Sequence, residues 1–211
     1  MLEVGGHPII AYNLAMLAAG GFRDVVINLH HLPDVIRDFV GSGERWGVRV
    51  SYSEEPELLG TGGALIPVLD RFASETFAIV FADNLNQLDL TDMLHRHRAT
   101  GALVTIAVSQ RDDTSQSGVT ELGRDHRIVR FIEKPQPGEA TSGWINAGVV
   151  LAEPSLIAML PAKVPFDLSR DVLAKLVRND DKVYAYPMKG AHLWFDRVED
   201  YERAKNWRRL E

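Results

Sequence analysis

Apolar positions fall first into a helical spacing, then into short continuous runs, and the two alternate along the first half of the chain. Ile10, Leu14 and Leu17 stand at i, i+4 and i+7 and mark one apolar helix face. Pro8 lies near its start, and Gly20-Gly21 supplies a stop. Val25-Val26-Ile27 is a β-branched run that predicts a buried strand over 22–29. A second helix is predicted over 33–40, closed by Gly41-Ser42-Gly43, and an alternating strand over 48–53. A loop rich in Glu, Pro and Gly follows, then a helix over 64–69, a strand over 77–82, a helix over 90–99 and a strand over 103–108. Strand and helix alternating at this spacing predict a parallel sheet wrapped by helices. After Val108 the rhythm changes. Residues 119–122 and 128–132 flank the turn Gly123-Arg124-Asp125-His126 and predict a β-hairpin. A strand over 145–151, a helix over 169–177, short strands over 183–187 and 191–195 and a closing helix over 199–208 complete an α/β pattern with a β-rich second half.

A length of 211 residues allows one large domain or two small ones. No stretch is rich enough in Pro, Gly and Ser to be a linker, and no internal repeat occurs, so one domain over 1–211 is expected. Lys and Arg number 23 against 29 Asp and Glu, a net charge of −6. That balance argues against nucleic acid or an anionic membrane as partner, since either needs a basic face. It leaves room for a phosphorylated small molecule, for which a few local cations suffice. No apolar run approaches the ~18 residues of a membrane span, and Met1 to Gly6 lacks the basic and apolar segments of a signal peptide. With no cysteine in the chain, disulfides, thiolate catalysis and cysteine-ligated zinc are excluded. A cytoplasmic protein is the default expectation.

Ligands of open α/β sheets bind outside the carboxyl ends of the strands, so polar residues directly after apolar strands are the candidates. Asp83 follows Ala78-Ile79-Val80-Phe81-Ala82. Its carboxylate could hold a magnesium ion, which takes one or two carboxylates plus substrate phosphates, or could equally open a turn. Glu133-Lys134-Pro135 ends the strand over 128–132: Lys134 suits a phosphate and Glu133 a sugar hydroxyl, and position alone fits a solvated ion pair as well. Leu59-Gly60-Thr61-Gly62-Gly63 precedes a predicted helix, where backbone N–H groups can approach an anion or a flat base. Its spacing is neither that of a P-loop nor that of a dinucleotide fingerprint. Asp196, after Leu193-Trp194-Phe195, is a second carboxylate at a strand end. The seven histidines show no zinc spacing and are expected in loops and on the surface.

Taken in order, several segments resemble the sugar-1-phosphate nucleotidylyltransferase (NDP-sugar pyrophosphorylase) family nearly end to end. They are Val4-Gly5-Gly6-His7-Pro8, Ile27-Asn28-Leu29-His30-His31, Ser53 to Gly63, Phe81-Ala82-Asp83-Asn84, Phe131-Ile132-Glu133-Lys134-Pro135, Ile145-Asn146-Ala147-Gly148 and Trp194-Phe195-Asp196. The resemblance implies a Rossmann-like, doubly wound mixed sheet of the nucleotide-diphospho-sugar transferase type. It implies that Gly60, Thr61 and Gly62 lie against the nucleobase, that Asp83 and Asp196 bind Mg2+, that Glu133 and Asn146 hold the sugar, and that Lys134 holds its phosphate. Asp83, Lys134 and Asp196 are thus the expected catalytic residues. The implied substrates are a nucleoside triphosphate and a sugar 1-phosphate, joined with release of pyrophosphate, and a homo-oligomer is left open.

Two features depart from the family pattern. Asp196 is followed by only Arg197-Val198 before Glu199-Asp200-Tyr201, where the family more often has a longer Gly- and Thr-Pro-containing link. At the front, Met1 aligns just after the family's Pro-Lys-Pro, so the first strand and the triphosphate loop ending in Gly-Thr-Arg have no counterpart here. A wrong start, a sheet completed from elsewhere and a rearranged sheet are the three explanations, and the 211-residue chain is expected to be nearly inactive. The alternative is a non-catalytic sugar-phosphate-binding or regulatory homologue. A metal-dependent glycosyltransferase would normally carry Asp-x-Asp, which Asp83-Asn84-Leu85 does not supply.

Overall fold

The structure is a computed structural model that describes residues 1–195 and 197–204. Strands β1 (Glu3–Val4) and β2 (His7–Pro8) make a small antiparallel hairpin that leads into helix α1 (Ile9–Ala19). Pro8 precedes the first helical residue, and Ile9, Leu14 and Leu17 are buried, as the apolar spacing predicts. Strand β3 (Asp24–Leu29), helix α2 (Pro33–Val40) and strand β4 (Arg49–Glu54) form a right-sized crossover unit, and β3 and β4 pair in parallel from Asp24↔Arg49 to Leu29↔Glu54.

A short helical turn, α3 (Gly60–Gly63), comes just before the predicted helix over 64–69, and a 3₁₀ segment, Ile66–Phe72, stands in place of most of that helix. Pro67 sits inside that segment and lacks the N–H that a continuing α-helix needs. Next come β5 (Phe77–Val80), β6 (Leu85–Asn86), α4 (Leu90–Thr100) and β7 (Val104–Gln110). Asp89 caps α4 by accepting the Asp92 N–H at 2.9 Å. Strands β8 (Gly118–Leu122) and β9 (Ile128–Glu133) form the expected hairpin. Strand β10 (Trp144–Ala152) follows, then a π-helical turn, Leu168–Leu173, running into α5 (Ala174–Arg178), then β11 (Val183–Pro187), β12 (His192–Leu193) and α6 (Val198–Ala204).

The main sheet is mixed, as the family resemblance implies, and not the parallel sheet that the strand–helix rhythm of the first half alone would predict. Strand β10 is the axis of the main sheet and runs antiparallel to β5, β7 and β8, while β11 pairs with β7 in parallel. The β8–β9 hairpin reverses the chain, and β10 then runs in the same direction as β9 on the other side of β8, which makes it antiparallel to β8, β7 and β5. Val149 to Ala152 are fully buried, as a central strand covered on both faces must be. The main core joins this sheet to Leu168, Val172, Leu173 and Leu176 on one face, and a second cluster packs Leu17, Leu90 and Met93 on the other. Strand β3 shares no ladder with β5 among the described residues.

His97 departs from the surface position expected of the histidines. It is 1% exposed, on the inward face of α4, with Nδ1 at 2.7 Å from Thr105 Oγ1 and Nε2 at 2.9 Å from the Glu153 carboxylate. Burial pushes its pKa below the ordinary value, and two partners for two ring nitrogens make a buried polar ring tolerable.

Candidate functional site

One end of the main sheet collects the residues singled out in the sequence. The carboxyl end of β7 carries Ser109, and the antiparallel register places Ile145 opposite it and Asn146 opposite Val108. Ile145 also pairs with Val119 of β8, whose neighbour Gly118 pairs with Glu133 at the end of β9. Asn146 and Glu133 therefore stand at the same sheet end with β8 between them. Asp83 lies three residues beyond β5, and the Phe81 N–H donates to the Gly148 carbonyl of β10 at 2.8 Å, which ties the Asp83 loop to that end.

A bulge aims Asn146. The ladder with β7 shifts between Asn146 and Val150, and Gly148 in that stretch has φ +77°. Bulges next to functional sites commonly re-aim a side chain. Asn146 Oδ1 accepts the Gly148 N–H at 2.9 Å, which orients the amide with its NH2 as the remaining donor. A Cβ on Gly148 would stand 2.9 Å from Asn84 Nδ2 and 3.1 Å from Phe81 Cβ, so the glycine makes room for the Asp83 loop as well as for the bulge.

Glu133 is half-buried, and burial together with the negative charge of Asp167 raises its pKa to about 7, against the opposing pull of Lys134 and Arg170. Lys134 is exposed, has φ +49°, and donates its N–H to Ser117 O at 3.1 Å. A non-glycine residue held left-handed at a strand end carries backbone strain that the surroundings must enforce. Here the kink turns the chain so that consecutive residues present a carboxyl and an ammonium group.

The Gly60–Gly63 turn has a second job that the sequence did not disclose. Gly62 and Gly63 both donate their N–H groups to Phe166 O, at 3.1 and 3.3 Å, and the Phe166 N–H donates to Leu59 O at 3.0 Å. The Thr61 hydroxyl donates to Asp167 Oδ2 at 2.7 Å and accepts the Leu168 N–H at 2.9 Å. Asp167 in turn accepts the Arg170 N–H at 2.7 Å and caps the helical segment behind it. The turn and the segment 166–171 are one hydrogen-bonded unit, and Asp167 carries its charge toward Glu133.

Around Asp83 the structure adds Asn84, His192 and Ser109, none of which has a role in the sequence reading. Asp83 is exposed and accepts from Asn84 Nδ2 at 2.8 Å. Asn84 Oδ1 lies 3.3 Å from His192 Nε2, and His192 Nδ1 lies 2.7 Å from Ser109 Oγ. His192 is held in place by its strand, which pairs with β6, and packs edge-on against Trp194 at 5.4 Å between ring centroids. No local spacing signals this cluster, because its members are 83 and 108 residues apart. Asp196 lies outside the described residues. Among the described residues no group of three or more His, Asp and Glu side chains is arranged to hold a metal ion. No helix among them is long and apolar enough to cross a membrane.

The family model for nucleotidyl transferase matches residues 1–207. A UTP–glucose-1-phosphate uridylyltransferase of Synechocystis is 31% identical over 97% of the chain, and a mannose-1-phosphate guanylyltransferase of Mycobacterium tuberculosis is 29% identical over 96%. The chain spans 56% of the length of each. A Bacillus anthracis protein solved with sucrose superposes with a TM-score of 0.85 over 97% of this chain and 83% of its own, at 20% identity, and shares the mixed α/β fold. With a family match over nearly its whole length, the chain belongs to the nucleotidyl transferase family.

Proposed function

We propose that the protein transfers a nucleotidyl group from a nucleoside triphosphate to a sugar 1-phosphate, releasing pyrophosphate. The observation that carries this reading is the gathering of Asp83, Asn146, Glu133 and Lys134 at one end of the main sheet, together with relatives named for that reaction. Lys134 holds the sugar phosphate, Glu133 accepts a sugar hydroxyl, and the Asn146 NH2 donates to another sugar oxygen. Held in this way, a phosphate oxygen of the sugar attacks the α-phosphorus in line and pyrophosphate leaves on the opposite side. The protein contributes alignment and charge neutralisation rather than a covalent nucleophile. Thr61 and the flanking Gly60 and Gly62 give the base a flat wall whose shape is set by segment 166–171.

Mg2+ fits the residues present. An exposed carboxylate at a strand end is the hard oxygen donor that this ion takes, and it needs only one or two such groups beside the substrate phosphates. Asp83 would hold it, with Asp196 as the second carboxylate. When bound, the ion would neutralise phosphate charge.

Two expected results test the sugar side. Lys134→Ala should weaken sugar 1-phosphate binding about 10- to 100-fold, the range for removing a charge-assisted contact, while leaving the unphosphorylated sugar unaffected. Titration calorimetry showing equal affinity for wild type and variant would refute the phosphate role. The second result concerns pH. The folded-state pKa of Glu133 is raised, so its carboxylate forms only as pH climbs through about 7. Sugar 1-phosphate binding should therefore strengthen between pH 6 and pH 8, and the free protein should lose stability as pH rises from the ordinary carboxylate range to about 7. Glu133→Gln should bind more weakly at pH 8, flatten the stability profile and retain only the pH dependence of the sugar phosphate itself. A Glu133→Gln protein with the wild-type profile in both measurements would show that Glu133 faces no sugar.

A further inference from the structure

The hydrogen bonds around Asp83 have a fixed direction. A carboxylate only accepts, so the 2.8 Å contact between Asp83 and Asn84 assigns the Asn84 NH2 as the donor and leaves its carbonyl oxygen pointing the other way. That oxygen can only accept, so the facing His192 Nε2 carries the proton. In the neutral ring Nδ1 is then an acceptor, and the Ser109 hydroxyl, 2.7 Å away, donates to it. Ser109 is buried on β7, at 9% exposure, at the end of the buried run from Val104 to Ser109. Direction therefore runs from a rigid strand, through an imidazole and an amide, to an exposed carboxylate on a loop.

We propose that Ser109 and His192 are positioning residues that fix Asn84 and, through it, the orientation of the Asp83 carboxylate toward the cation it would hold. Partners of this kind, one shell behind a ligand, orient it and sharpen its affinity for the metal. The geometry around the relay supports the assignment. Asn84 lies against Gly148, where any Cβ would come within 2.9 Å of its Nδ2, so the amide has little room to swing. His192 is clamped by the β6–β12 pairing and by Trp194. The Asp83 loop is tied to β10 through the Phe81 N–H, which holds the backbone under Asn84 in register with the sheet. This inference rests on Asp83 as the magnesium-holding residue of the proposed function, and it adds residues that the motif around Asp83 does not contain.

The ring's two ends can be tested separately. His192→Gln keeps a side-chain NH2 able to reach Asn84, whereas His192→Asn is too short to do so and keeps only the group facing Ser109. The measurement is Mn2+ binding to the whole protein without nucleotide, read from the free-ion electron paramagnetic resonance signal, with thermal melting in parallel. His192→Ala and His192→Asn should each weaken Mn2+ binding about 10- to 100-fold with melting temperatures close to wild type, and His192→Gln should recover most of the loss. Ser109→Ala should weaken it less, since one neutral hydrogen bond is removed at the far end. Asp83→Ala separates the two levels of the argument. If Asp83→Ala leaves Mn2+ binding unchanged, Asp83 is not the ligand and the reading beneath falls. If Asp83→Ala abolishes binding while all three His192 variants bind as wild type, the ligand stands and the relay is overturned. Equal weakening by His192→Gln and His192→Asn, each with a lowered melting temperature, would likewise overturn it, because it would show a structural loss rather than a lost direction.

Discussion

In a version that carries the family's N-terminal strand and triphosphate loop, Asp83→Asn is expected to lower nucleotidyl transfer by about 10²–10³-fold, the usual effect of deleting one preorganised charge at a reacting phosphate. The substitution is close to isosteric. An asparagine at 83 still offers a carbonyl oxygen to Asn84 Nδ2, so the hydrogen bond at 2.8 Å can be kept while the negative charge is lost. Asp83 is exposed, so folding stability should stay within about 0.5 kcal/mol of wild type. Steady-state turnover measured across a Mg2+ titration should show the loss at every magnesium concentration, with unchanged circular dichroism and melting. Turnover close to wild type in the Asp83→Asn protein would remove Asp83 from the chemistry.

Gly60→Ala is expected to destabilise the fold by about 2–5 kcal/mol. Gly60 has φ +83°, a left-handed value that costs an alanine roughly 1–2 kcal/mol. A Cβ there would also stand 2.4 Å from Phe166 O, 2.9 Å from its carbonyl carbon and 3.1 Å from its nitrogen. Backbone atoms cannot step aside as a flexible side chain can, so overpacking adds roughly 1–3 kcal/mol. Gly138 provides the control, with the same φ of +83° and nothing within 4 Å of its Cβ position. Gly138→Ala should therefore show the conformational cost alone. Denaturant unfolding of the two variants gives the difference, which is the contribution of the contact with Phe166. Equal losses at the two positions would mean that the turn is not packed against segment 166–171.

The elements with one strong period were legible from the chain. Helices α1, α2 and α4 and strands β3, β4 and β7 follow from apolar spacing and from Pro and Gly at their ends. Sheet direction was not legible, because β10 reads as a buried apolar strand whichever way it runs and only its arrival from the β8–β9 hairpin makes it antiparallel. The bulge at Asn146 to Val150 left one trace, the glycine at 148. Asp83, Glu133, Lys134 and Asn146 were visible because each stands at a strand end in a recognisable motif. Ser109, His192 and Asp167 were not, since each acts on a residue many positions away and pairing across 83 to 107 residues leaves no local period. His97 was misjudged for the same reason: it looks like an exposed helix residue until Thr105 and Glu153 close over it. His7, His30, His31, His95 and His126 are exposed as expected.

The most direct measurement follows the α-phosphate. A version carrying the family's N-terminal strand and triphosphate loop ahead of Met1 is incubated with Mg2+, a nucleoside triphosphate labelled at the α-phosphorus, and each of glucose 1-phosphate and mannose 1-phosphate, and the products are separated. The 211-residue chain is run beside it and is expected to turn over far more slowly. The expected result is label appearing in a nucleotide sugar, one pyrophosphate released per molecule formed, only when a sugar 1-phosphate is present, and at background in Asp83→Asn. Absence of labelled nucleotide sugar with every common triphosphate, or label transfer that is indifferent to both the sugar phosphate and Asp83, would contradict nucleotidyl transfer to a sugar 1-phosphate at this sheet end.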